Sequence, residues 1–205
     1  MKLRAVAAAA AIVFAGPAFA AAPTDKDWPC VQRKVPQLSA GAVWSGPPLE
    51  PAFETWRSEP DVAKLVAQLV SRRTALEDAP NLIQEFAAPL KDTKTHKLTL
   101  VFAGVFSEIN ALRSDIIRAI ERYTLNQRRR ADEIRKTRAV LEPLSQKPDK
   151  TPEERKRVTE LEEQLQWQMR IHEDRESSLI YICETPVILE QRAFSIGREV
   201  QNAMN

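Results

Sequence analysis

The chain has 205 residues, 30 Lys+Arg against 28 Asp+Glu, 43% hydrophobic residues, five glycines and two cysteines. That length suits a single domain, and the near balance of charge provides no field to draw a polyanion such as nucleic acid. Few glycines leave little material for phosphate-cradling loops, and neither a phosphate-loop nor a dinucleotide fingerprint is present.

The first segment has the layout of a secretory signal. Lys2 and Arg4 precede an apolar run over residues 6–14, and Ala18-Phe19-Ala20 offers small residues at the cleavage spacing. Gly16-Pro17 interrupts the run, which is too short to span a bilayer. A cleaved signal over residues 1–22 is therefore expected, cut after Ala20, Ala21 or Ala22, with no stable membrane insertion afterwards. Loss of Lys2 and Arg4 leaves 28 basic against 28 acidic residues. With a Gram-negative source, the expected compartment is the periplasm.

Residues 23–57 are rich in proline and poor in periodicity, yet they carry Trp28, Trp44, Phe53 and Trp56. Polar linkers rarely hold so much aromatic area. The expected form is an extended strap, anchored by Trp28 and Trp44, with a short edge strand at Val31 and Val35. An aromatic ligand surface is the alternative. Cys30 and Cys183 are the only cysteines. Secretion permits a disulfide between them, which would fasten the strap to the distant second half of the chain. The absence of a Cys-x-x-Cys pair argues against thiol exchange or covalent haem.

Residues 58–205 are expected to form a helical domain. A short helix over about 59–73 is predicted to start with Ser58 as its cap and Val62, Leu65, Val66 and Leu69 as its apolar face. A second over about 79–88 carries Ile83, Phe86 and Ala87. Two long helices follow, at about 95–145 and 152–204. Pro148 breaks the chain between them, and Thr151-Pro152-Glu153-Glu154 is a strong helix start. Both long segments repeat apolar residues at alternating steps of three and four, and their short connection predicts an antiparallel return. Pro186 predicts a kink or a break in the second. The fold class is all-α: a helical bundle, a long coiled-coil-like hairpin and an extended N-terminal strap.

The apolar density is uneven. It is high at both ends of the helical region and low over residues 127–171, where Arg128, Arg129 and Arg130 lie among other charges. That portion should project as a two-helix arm. At its neck, antiparallel folding sets Tyr123, Gln127 and Arg130 near Gln168, His172 and Arg175, a polar break in both stripes. A layer that fixes register is the leading explanation. A metal site using His172 with Glu173, Asp174 or Glu176 is the weaker one, since the spacing lacks the Glu-x-x-His pattern of di-iron bundles and arginines repel a cation. No nucleophile or catalytic motif stands out, and no cofactor is implied. The sequence thus leads to a non-catalytic periplasmic adaptor that binds another periplasmic protein through the arm, with a homo-oligomer as the second kind of partner. The alternatives are a metal or small-ligand carrier and a self-associating structural subunit.

Overall fold

A computed structural model describes residues 28–205; the expected signal over residues 1–22 and the start of the strap lie outside the described residues. The elements in order are α1 (Glu50–Thr55), α2 (Pro60–Val70), α3 (Ala79–Ala87), α4 (Lys94–Gln146) and α5 (Pro152–Met204), with 3-10 turns between the shorter ones. The two long helices have 53 residues each, about 80 Å at helical rise. They return antiparallel as expected and pack along one another.

The turn between them is held at several points. Thr151 and Glu154 form a reciprocal capping box, and Pro152 occupies the first turn, where its missing amide costs nothing. Lys147 Nζ lies 2.6 Å from Glu154 Oε1, and Lys150 Nζ donates to the Lys147 carbonyl. The Glu154 carboxyl sits below its ordinary value because Lys147 and the Thr151 amide bond its charged form.

The core lies at the open end of the hairpin. Residues 98–106 of α4 are buried without interruption, because α1, α2 and the strap cover the faces that α5 does not. Leu189, Ala193, Ile196 and Val200 of α5 meet them, and α3 packs on α5. Two glycines allow close approach. A Cβ on Gly104 would meet Val66 Cγ2 at 2.7 Å and Trp56 at 2.9 Å, while one on Gly197 would meet Phe102 at 2.9 Å and Val43 at 3.0 Å. Gly197 therefore admits the strap against α5, beyond the slight weakening of the helix that its propensity predicts.

Two cations clamp the small helices. Lys97 Nζ bridges Glu59 at 2.5 Å and Asp61 at 3.0 Å, tying the start of α2 to α4. Arg192 Nε donates to the Leu69 carbonyl at 2.7 Å, and its Nη2 donates to the carbonyls of Ser71 and Thr74, satisfying the open end of α2 from α5. Burial pushes the Arg192 guanidinium down, opposed by Glu77.

Several expectations need correction. The first short helix ends at Val70, so Arg72 and Arg73 lie beyond it, and its N-cap is Glu59 with no side-chain cap bond; Ser58 belongs to the preceding 3-10 turn. The strap is not wholly extended, because Pro51 fits the first turn of α1 despite its poor fit to a helix interior. The edge strand is absent: Val31 is fully exposed, and the described residues contain no strand. Pro186 interrupts nothing; α5 runs through it as one helix.

Candidate protein-binding arm and its polar neck

The arm is thinly packed because only two helices build it. Between residues 127 and 171, the buried residues are Ile134, Thr137 and Leu161. Leu141, Leu144, Val158 and Leu165 are half-buried along the same seam. Elsewhere the surface is charged, with Arg135 paired to Asp132 and Arg138 reaching Met169 Sδ at 3.7 Å. Two large apolar side chains break this pattern: Trp167 and Val140 are 62% and 53% exposed.

The neck brings together part of the predicted set. Tyr123 Oη donates to the Arg175 carbonyl at 2.6 Å, and Gln127 Nε2 donates to the His172 carbonyl at 3.2 Å. These bonds fix the pairing of α4 with α5. Gln127 Oε1, Gln168 Oε1 and His172 Nδ1 are buried without a hydrogen-bond partner. Gln168 and His172, four residues apart, share a face of α5, so the three atoms mark a polar gap in the seam.

The other predicted members lie elsewhere. Arg175 contributes its backbone, and its side chain is exposed; Glu173, Asp174 and Glu176 are exposed as well. Arg128 and Arg129 are exposed, Arg129 bonds Asn126 on its own helix, and Arg130 is half-buried. Glu173 and Asp174 point around the helix away from His172, and Glu176, one turn on from it, is exposed to solvent. Among the described residues no group of three or more His, Cys, Asp or Glu is placed to hold a metal ion.

The strap anchors the opposite end. Trp44 stacks on Phe102 with ring centroids 4.3 Å apart, and its indole N–H donates to the Pro47 carbonyl at 2.7 Å. Trp28 is half-buried beside the Cys30–Cys183 disulfide, with its indole N–H on the Gln32 carbonyl at 2.6 Å. The disulfide joins residues 153 positions apart and pins the strap to α5.

Sequence patterning did not reveal the strap's main fastening. An extended segment must still satisfy its backbone polar groups. Here α4 and α5 side chains do so: Asn110 accepts from the Leu38 amide at 2.9 Å, Ser114 donates to the Pro36 carbonyl, and Gln201 donates to the Val43 carbonyl. Arg113, only 4% exposed, bonds the Val35 carbonyl, the Pro186 carbonyl and Glu190. The only signal available was a lone arginine one step off an apolar stripe. Comparison with family models, curated proteins and solved structures finds nothing that matches the chain.

Proposed function

We propose that the protein is a non-catalytic, secreted adaptor, acting in the periplasm if the source is Gram-negative, which captures another protein with the far half of its hairpin. The observation that carries this reading is the mismatch between core and length. The buried cluster is concentrated at one end, while α4 continues past the neck to Gln146 and α5 returns from Pro152, with three buried residues between them. A seam so thin adds little to the stability of the base, so length itself is the feature to explain.

The turn supports the same reading. The capping box and the Lys147–Glu154 pair give it a fixed shape before any partner arrives, which lowers the ordering cost of binding. The charged sides of the arm suit a polar, reversible contact, in which charge contributes more to approach and specificity than to affinity. The predicted signal and the disulfide support an extracytoplasmic location.

The test replaces residues 127–171 and the distal turn geometry with a short loop, leaving the strap, the disulfide and α1–α3 in place. The base should keep its helicity and its cooperative melt, while partner recovery from the native extracytoplasmic fraction is lost. Recovery of the same partner in the same amount by the shortened protein would overturn the assignment.

A further inference from the structure

The four tryptophans differ in how their indole N–H groups are met. Trp28 donates to the Gln32 carbonyl, Trp44 donates to the Pro47 carbonyl, and Trp167 is 62% exposed to water. Trp56 is only 4% exposed, and its N–H finds no acceptor among the described residues. A buried indole N–H ordinarily has one, because an unmet donor gives up its hydration and gains nothing in return. This orphan lies at a groove of about 510 Å³ between α2 and α4. Trp56 and Val66 are its buried floor. Ala63, Ala67 and Val70 give it an aliphatic wall along α2, and Arg57 and Glu108 stand at its rim.

The side chains around the indole leave it unmet for separate reasons. Those of the α2 wall offer only carbon. The Arg57 guanidinium stacks over the ring, 4.3 Å from its centroid, and carries donors alone. The Glu108 carboxylate is drawn to Arg57 Nη2 at 2.6 Å, and Ser71 Oγ accepts from the Arg73 amide at 3.2 Å. Water suits the floor poorly, since a buried water needs about two to four polar partners and the floor supplies one. An oxygen carried on an apolar body suits it better, because the body covers the aliphatic wall and brings the acceptor with it. The volume falls in the range of small-ligand sites, about 300–1,000 Å³, which combine apolar walls with a few placed polar groups. Charge narrows the class further. Arg57 and Glu108 cancel at the rim. A carboxylate would have to displace Glu108, and an ammonium brings no acceptor. A neutral carbonyl needs only the indole N–H.

We infer that the groove binds a small neutral acyl compound, an aliphatic chain ending in an amide or ester carbonyl, whose oxygen accepts from Trp56 Nε1 while its chain lies along α2. Arg57 is the cover. Its pair with Glu108 is open to solvent, with side chains 66% and 40% exposed, and such pairs hold little. The guanidinium therefore lifts from the ring to admit the carbonyl. The site belongs to the base, apart from the arm, and does not rest on the capture of a protein partner.

The experiment titrates the isotope-labelled, intact processed chain with octanamide and follows the indole N–H resonances by NMR. That of Trp56 is identified by its loss in Trp56→Phe. It should move downfield and saturate, with a Kd of about 1 mM or tighter, while those of Trp28, Trp44 and Trp167 stay in place. Octanoate and octylammonium, which share the chain, should bind roughly tenfold more weakly. By calorimetry, Trp56→Phe should weaken octanamide roughly tenfold, the loss of one hydrogen bond. Ala67→Phe fills the groove from an exposed position on α2 and should abolish binding with the melt unchanged. A Trp56 resonance unmoved by octanamide overturns the inference. So does equal binding of the three compounds, which would mean partition of the chain onto an apolar surface, and so does undiminished binding by Ala67→Phe. Ala67→Phe leaves the arm and its turn intact, so loss of this ligand is read separately from loss of partner capture.

Discussion

Arg113 Nε on α4 donates to the carbonyl of Pro186 on α5 at 3.2 Å, in the stretch where proline has removed one amide from the helix ladder. The same guanidinium bonds the Val35 carbonyl of the strap and reaches Glu190 Oε2 at 3.2 Å. One side chain therefore links three segments around the helix that Pro186 was expected to break. Burial pushes its pKa down, opposed by Glu190, but an arginine remains charged throughout the working range.

Removing this cation should loosen the strap before the hairpin. Arg113→Met leaves buried carbonyls without their donor and Glu190 without its partner, a loss of about 2–4 kcal/mol, discounted because Glu190 is half exposed. Arg113→Lys restores the charge but not the fork of donors, and should recover less than half of the loss. Urea melts of the three proteins give the ranking, and amide exchange should rise first around Val35 and Leu38. Equal stability of the parent and the Arg113→Met protein would mean that the strap needs no such fastening.

The disulfide acts on the same strap through the unfolded chain. Replacing Cys30 and Cys183 together by serine frees a loop of 153 residues. Chain entropy puts the expected loss at up to about 5 kcal/mol. The hairpin should stay helical by circular dichroism while the midpoint in urea falls. A midpoint unchanged by the double replacement would show that the side-chain bonds to the strap suffice without the cross-link.

The clamp at the start of α2 predicts the pH response of the base. Desolvation works to raise the Asp61 pKa, but its bond to Lys97, a backbone bond at Val62 and the Lys97 charge together hold it below the ordinary 3.8. Lys97 is raised above 10.5 by its bond to Glu59 and then to Asp61. A carboxyl lowered on folding stabilises above its unfolded value and loses that contribution as pH falls through the folded one. A raised lysine stabilises below its unfolded value and loses the contribution as pH rises through the folded one. The clamp should thus be fully effective from about pH 5 to about pH 9.5, weakening below about 3.8 and above about 10.5. Lys97→Met should lower stability within that window and flatten both limbs of a plot of urea midpoint against pH; parallel curves for the two proteins would contradict the assignment.

The hairpin was legible because its signals are local and agree. Thr151-Pro152-Glu153-Glu154 specifies a helix start, and repeating apolar steps specify two faces that match. The strap was only half legible. Its aromatic content announced packing, but the bonds from Asn110, Ser114, Arg113 and Gln201 cross 72 to 158 positions of sequence and obey no period. The same limit explains the edge strand, since β-branched residues at 31 and 35 need a neighbouring strand and find only helices. In the neck, spacing set Gln127, Gln168, His172 and Arg175 together; Arg175 supplies only its backbone carbonyl, to Tyr123, while its side chain faces water.

That neck yields the last expectation. Gln127 Oε1, Gln168 Oε1 and His172 Nδ1 lie buried without partners in the seam between α4 and α5. Each unsatisfied buried polar atom costs about 1–3 kcal/mol, whereas an apolar side chain of similar size incurs no such penalty. Gln127→Leu with Gln168→Leu and His172→Leu should therefore stabilise the arm by about 2 kcal/mol or more, with Tyr123 still bonded to the Arg175 carbonyl. Amide exchange over residues 123–131 and 168–175 is the appropriate readout, since a global melt reports chiefly on the base. The polar layer also fixes register, because a slip would bury these groups against leucine. The triple variant should accordingly show mixed pairings when cysteines are introduced singly at Ala131 and Gln166 and at neighbouring turns, while the parent cross-links at one register. Slower exchange with a single register would make the neck merely costly; faster exchange would mean that the three atoms hold a solvent molecule whose bonds the leucines cannot replace.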